Sequence, residues 1–284
     1  MAVFNLPAQS VNLQVVTKEI EKKMKYKEGQ VLSVEGEKSE VDIMPWDENY
    51  ITIALKLSAQ HPERAVAKED LGHFEYNFDN TADTIYIRNS ITAKEESLRS
   101  GLQAFYTIMV PRSCKVKLHN YFGSAVLTDL KQGVDIKSEF CNLTLKNVEG
   151  QVDINTYFGD LIGVMINGIV DIKADRSNVT LSEIEGKFTI DAYMGTVKVF
   201  ANQSLLDMNI NAEKTDVFFY DSKLDGYNFK LASQLGDIEV PDKLHAKMYK
   251  ENEIRNIVIK PEGELIGAKV FISVVSGDIM LGSR

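Results

Sequence analysis

The sequence predicts an all-β fold: a parallel single-chain β-helix, or β-solenoid, with coils of about 18 residues and a short helix and strand insertion near the N-terminus. Three observations predict it. First, Val116, Val134, Val152, Val170 and Phe188 stand 18 residues apart, and each opens an apolar–polar–apolar triplet such as Val152-Asp-Ile154. Second, the spacing loosens beyond that point, but Met208, Phe229 and Val270 open comparable units. Taking the opening position and the positions 2, 9 and 11 residues later across these eight units, 31 of 32 places are apolar, where the chain averages 44%. Third, the position seven residues in is always small (Gly123, Cys141, Gly159, Ser177, Gly195, Thr215, Gly236, Gly277), and the next is usually Asn or Asp, or otherwise Ser124 or Thr196.

A fixed period of this kind marks a repeat architecture. Each unit carries two short strands with period-2 alternation. The residue between the apolar pair then faces solvent, and Lys117, Asp135, Asp153, Asp171, Thr189, Asn209 and Lys230 stand there. Small-then-polar is turn chemistry, because Gly frees the backbone and Asn or Asp bonds its own main chain. Like residues recurring at one place are what stacked coils in parallel register produce. An antiparallel meander with a strand every nine residues would not keep two different turns; here one half-unit ends small-polar and the other ends in Glu149-Gly150 or Glu185-Gly186. A 36-residue layer overlies this. Tyr121, Tyr157 and Tyr193 alternate with Glu139, Asp175 and Glu213, which keeps like charges off adjacent strands.

Upstream, Leu32-Ser-Val34, Val41-Asp-Ile43 and Ile51-Thr-Ile53 read as the first coils, turning at Pro45–Asn49. A segment from His61-Pro62 to Leu71 reads as a short helix, since Pro suits a helix start. Residues 73–78 and 84–89 read as strands around a turn at Asp79-Asn80, and 91–101 as a mobile loop. Phe105–Pro111 leads into the regular coils. A second insertion spans about 241–262, with a short helix or loop at Lys243–Glu253. The domain plan is a capping segment or leader over 1–28, then one β-solenoid domain over 29–284 with insertions at about 60–102 and 241–262. The first 28 residues are expected to cover an open strand edge.

Val41-Asp-Ile-Met-Pro-Trp46-Asp-Glu-Asn-Tyr-Ile-Thr-Ile53, Ile108-Met-Val-Pro111 and the endings Gly236-Asp-Ile238 and Gly277-Asp-Ile279 resemble the bacterial putative-adhesin domain family, common in Bacteroidetes, from about residue 17 to the end. The resemblance implies a β-helical fold, a periplasmic or cell-surface location, and a protein or glycan partner. It brings no catalytic residues. Members of that family usually begin with a signal peptide, whose basic and apolar regions the opening Met-Ala-Val-Phe-Asn-Leu-Pro lacks.

Composition narrows the function further. A net charge of -9 opposes nucleic-acid and anionic-membrane partners. No apolar run has the length of a membrane-spanning helix. Cys114 and Cys141 sit at different coil offsets and read as free thiols. No phosphate loop, nucleophile elbow or zinc-protease helix occurs. His61, His73, His119 and His245 are scattered over different elements and form no acid–base set, so no catalytic residue and no cofactor is expected. Asp135, Asp153 and Asp171 would stack on one outer face. They form a candidate Ca²⁺ set, against the plainer reading of a solvated row offset by Lys137 and Lys173. Tyr121, Tyr157 and Tyr193 form a candidate binding stripe, against partial burial beside Phe122, Phe158 and Met194. The expectation is a non-enzymatic envelope or surface scaffold. A carbohydrate-active lyase or hydrolase, and a self-associating structural module, stand as alternatives. The sequence leaves the oligomeric state open.

Overall fold

The structure is a computed structural model that describes residues 12–244, 246–251, 254–259 and 267–283. In chain order the elements are β1 (Gln14–Lys25), β2 (Val31–Trp46), β3 (Tyr50–His61), α1 (Arg64–Leu71), β4 (Phe74–Asn80), β5 (Thr84–Ile91) and β6 (Gly101–Pro111). The regular rows follow as β7 (Lys115–Thr128), β8 (Val134–Tyr157), β9 (Leu161–Asp175), β10 (Val179–Ser182), β11 (Glu185–Phe200) and β12 (Leu205–Tyr220). The chain closes with β13 (Tyr227–Gln234), β14 (Ile238–Glu239), β15 (Lys247–Glu251), β16 (Ile254–Ile259), β17 (Ala268–Val275) and β18 (Ile279–Gly282). All the strands belong to one mixed sheet that is not closed into a barrel.

The 18-residue register is present as hydrogen-bonded pairing. Val116 faces Val134, Val152 faces Val170, and Val170 faces Phe188, all in parallel strands. The second half-units pair likewise, Leu143 with Leu161 and then Val179 with Val197. Each such row is a rung, and neighbouring rungs lie about 4.8 Å apart. Every apolar residue of the four repeated positions is buried except Ile238 and Val240, which are half-buried. A third inward position escapes the period-2 pattern: Leu130, Val148, Ile166 and Ile184 are also buried, and Val148 pairs with Ile166. Each carries a lone apolar side chain between two bends of the coil, so no alternation announces it.

The bends are specified residue by residue. The position before the small residue is left-handed in every unit, from Lys38 and Phe122 to Leu235 and Ser276, with φ between 48° and 62°. That conformation costs a non-glycine residue roughly 1–2 kcal/mol. It recurs here because the next residue closes the bend. The hydroxyls of Ser39, Ser177 and Thr215, and the thiol of Cys141, each donate to the carbonyl oxygen two residues back. In the rungs between, that place holds glycine. A Cβ on Gly159 would drive into the carbonyl oxygen of Cys141, and one on Gly195 into that of Ser177. The 36-residue layer therefore alternates a hydroxyl or thiol that closes the bend with a glycine that lets the neighbouring rung approach. Charge separation is a second effect of the same pairing.

The row order departs from chain order at both ends. Only from β7 to β12 do consecutive units lie side by side. After β12 the next row is β17, which pairs in parallel with β12 on one side and β13 on the other. The unit opening at Phe229 thus does not follow the one opening at Met208, because the last unit slots between them. The same device operates upstream: β2 pairs in parallel with β7 on one side and with β5 and β6 on the other. The Leu32 and Val41 triplets form one rung as expected. Ile51–Ile53 does not continue it, since β3 runs antiparallel to both β6 and β1.

The insertions also resolve. Helix α1 matches the segment expected to be helical, and β4 and β5 form the expected antiparallel pair. Residues 91–101 are the connection between β5 and β6. They contain a 3₁₀ turn at Glu95–Ser97, tied by Lys38 to Glu95 and by the Asp70 carboxylate, which accepts the N–H groups of Arg99 and Ser100. Of the Lys243–Glu253 stretch, expected as a short helix or loop, Lys247–Glu251 forms β15, which pairs antiparallel with β16. Of the capping segment, residues 14–25 form β1 against β3; residues 1–11 and His245 lie outside the described residues.

Candidate functional site

Four residues after the opening position of each unit stand the small, buried residues Ser138, Thr156, Ala174, Ala192 and Ala212. The more exposed side chains on either side of them form two walls. Between them runs an open groove of about 640 Å³, crossing six rungs from the unit opening at Val134 to the one opening at Val270. One wall is Lys137, Asn155, Lys173, Asp191 and Asn211, all exposed. The other alternates carboxylate and ring: Glu139, Tyr157, Asp175, Tyr193, Glu213.

The rings are held in place. Arg176 Nη1 donates to the Tyr157 hydroxyl at 3.1 Å, and its guanidinium lies 5.8 Å from the Tyr157 ring centre and 5.9 Å from that of Tyr193. Lys214 Nζ donates to the Tyr193 hydroxyl at 3.2 Å and sits 5.2 Å from the same ring. That hydrogen bond holds the Lys214 ammonium above the usual lysine range. The motif is one of tyrosine in one rung and cation at the bend of the next, and it occurs twice, two rungs apart. At the groove's start, Glu139 accepts from Lys137 at 2.7 Å and contacts His119 at 3.1 Å. These two bonds pull its carboxyl below the usual range, so it stays ionised.

Tyr121 is placed differently. It faces outward, as the inward Asn120 beside it requires, but it lies outside the groove and packs edge-on against Phe122 at 4.3 Å. The left-handed bend positions form a second feature that the sequence reading took only as packing. Phe122, Phe140 and Phe158 stack at 4.9 and 5.1 Å with nearly parallel rings, and the guanidinium of Arg176 caps the column 5.1 Å from Phe158. Phe140 and Phe158 remain 38% and 40% exposed. The signal was available in the 18-residue spacing of the three phenylalanines.

Asp135, Asp153 and Asp171 are half-buried and stand at one position of successive rungs. Asp153 and Asp171 are direct partners, and Asp135 is paired with Lys117 at 3.1 Å. The counter-charge for Asp135 comes from Lys117 on the preceding rung and not from Lys137, which bonds Glu139. Among the described residues no three His, Cys, Asp or Glu side chains come together as a metal site. Cys114 and Cys141 are buried free thiols, as expected, and burial pushes each up to about 11. His61 ends β3, where it pairs with Gln14, and its ring accepts from the Glu63 N–H at the start of α1. No described helix is long and apolar enough to cross a membrane.

No family model and no curated protein matches the chain. Solved structures do. A putative adhesin from Bacteroides fragilis is 10% identical, with 94% of this chain and 97% of that one covered and a TM-score of 0.50. A putative adhesin from Parabacteroides merdae is 13% identical over 93% and 96%, with a TM-score of 0.40. A putative lipid binding protein from Parabacteroides distasonis is 12% identical over 95% and 96%, with a TM-score of 0.39. The likeness to the Bacteroides fragilis protein is one of fold.

Proposed function

We propose that this chain is a β-solenoid scaffold without catalytic activity, which holds an extended partner in the groove along its first-strand face. The observation that carries the reading is the groove wall, where two immobilised tyrosines alternate with carboxylates at the pitch of the rungs. A rigid row of this kind suits a polymer or a flat protein surface better than a compact small molecule, which calls for an enclosed pocket. The described core forms one cluster from Met24 to Leu281, which supports a single domain over residues 29–284. The adhesin name of the Bacteroides fragilis protein of similar fold supports an envelope or surface role. Glu139 is held ionised by its hydrogen bonds to Lys137 and His119, which suits a hydrogen-bond acceptor and not the proton donor that a glycosidase needs.

The test pairs an array of glycans and immobilised peptides with three proteins: wild type, Tyr157→Ala/Tyr193→Ala, and Tyr121→Ala. Wild type and Tyr121→Ala are expected to capture the same ligand, which the double variant loses, and mass spectrometry is expected to recover that ligand intact. Equal capture by the double variant, or cleavage of the ligand, would overturn the reading.

A further inference from the structure

One corner of the stack carries two columns of opposite character. The first stands five residues after each opening position: Tyr121, Glu139, Tyr157, Asp175, Tyr193 and Glu213. The second is the left-handed bend position that follows: Phe122, Phe140, Phe158, Arg176, Met194 and Lys214. The first column is acidic or aromatic and holds no base; the second is apolar or basic and holds no acid. The pairing of the strands brings these rungs together in this order, Tyr121 against Glu139, Tyr157 against Asp175, and Tyr193 against Asp175 and Glu213. Tyr121, Phe140, Phe158 and Met194 remain exposed, and so do Arg176 and Lys214. The run covers six rungs, about 24 Å between the outer two. A continuous exposed apolar strip of this length marks an interaction surface.

We propose that this corner binds a second copy of the chain, lying alongside with its stack parallel and its rungs level. The two-fold axis runs along the stack between the two columns. Such an axis exchanges the columns, so each residue of the first meets the bend residue of the same rung in the other copy, and the reverse. Tyr157 then meets Phe158, ring on ring; Asp175 meets Arg176; Tyr193 meets Met194; Glu213 meets Lys214. Aromatic, ionic and sulfur–aromatic pairs are each favourable, and each is made twice. Tyr121 on Phe122 extends the run. The one mismatch is Glu139 facing Phe140, and Glu139 has its counter-charges within its own chain, in Lys137 and His119. The cations have donors to spare. Lys214 spends one of three on the Tyr193 hydroxyl, while Arg176 has five and touches the Tyr157 hydroxyl and Asp175. An antiparallel copy would set column on like column and leave the carboxylates of both chains without a cation across the seam. An unrelated partner would have to supply this pattern, whereas a second copy already holds it. Dimerisation of this kind does not require the groove to be occupied.

The experiment is sedimentation velocity of the whole protein over about 1–200 μM, where wild type is expected to pass from monomer to dimer. Glu213→Lys and Lys214→Glu each set like charges across the seam and are expected to weaken the dimer about tenfold or more. Both side chains are exposed, so the fold should persist, and thermal melts check it. Two further proteins separate the seam from a general effect of charge. The exchanged variant Glu213→Lys/Lys214→Glu still opposes acid and base across a two-fold and is expected to regain the wild-type dimer. The two single variants, each monomeric alone, are expected to form a heterodimer when mixed. A monomer at every concentration would overturn the proposal, as would a dimer that neither single variant weakens. Loss in the single variants with no recovery on exchange or on mixing would overturn it too, because the level two-fold requires both.

Discussion

At the scale of single residues, the inward and outward assignment decides what each substitution does. Ile154 and Ile172 are buried in a narrow core, whereas Asp153 faces solvent at the next position. Ile154→Asp and Ile172→Asp are each expected to cost ~4 kcal/mol or more, because an unpaired charge has no partner there. Asp153→Asn should be nearly neutral, and thermal melts of the three variants check this. Gly159 tests the bend: its φ is unremarkable, but a side chain there meets the backbone of Cys141. Gly159→Ala is expected to cost ~1–3 kcal/mol by overpacking, while Gly101→Ala, with open space around it, should cost far less. The two thiols make a third prediction. Burial raises both to about 11, so each is protonated in the folded protein at pH 8 and shielded from reagents. A chromogenic disulfide reagent should find no thiol in native protein at pH 8 and two after unfolding. Because the folded values are raised, the thiols' contribution to stability is present below the ordinary value of 9.0 and is lost as pH rises toward 11. At this scale the sequence was a good guide wherever a position repeats. The aromatic column at Phe122, Phe140 and Phe158 was legible in the spacing, but its exposure depends on left-handed bends that composition does not announce.

At the scale of elements, the 18-residue register let β7 to β12 be read from the sequence, because each strand's partner is its neighbour in the chain. The same logic misplaced the ends. Ile51–Ile53 continues the apolar spacing, yet β3 turns back and runs antiparallel, since the rung beyond β2 is built from β5 and β6. Likewise nothing local in Val270–Ile272 tells that it pairs on both sides, between Met208–Ile210 and Phe229–Leu231. Parallel pairing over long sequence separation is set by which edge is free when the segment arrives. This gives the C-terminal strands an outsized role. Removing residues 267–284 takes out an interior rung and exposes the edges of both β12 and β13. Of the described residues, removing 1–25 takes away the strand β1, rich in Lys and Glu and paired with β3. The shorter, C-terminal truncation is therefore expected to lower the melting temperature more than the longer, N-terminal one. The opposite ranking would contradict the interior placement of β17.

At the scale of the molecule, the groove exists because bends recur at one height in every rung, so that walls of unrelated sequence line up. Its charge pattern and tyrosine pitch are properties of the stack and of no single segment. This is why Tyr157 and Tyr193 could be picked from the sequence as a stripe, but the opposite wall could not. It is also why Tyr121, alike in sequence, lies outside. The account rests on the order and spacing of the rungs, which distances between spin labels measure directly. Labels are placed at the outward third position after each opening residue: His119 as the fixed partner, and in turn Asp191, Asn211, Ser273 and Ala232. Counting rungs through β17 puts them at about 19, 24, 29 and 34 Å from His119. Pulsed electron paramagnetic resonance is predicted to give that ascending series, with Ser273 nearer to His119 than Ala232 is, although it lies farther along the chain. A shorter distance to Ala232 than to Ser273, or distances that do not climb by a constant step, would contradict the stacked order on which the groove depends.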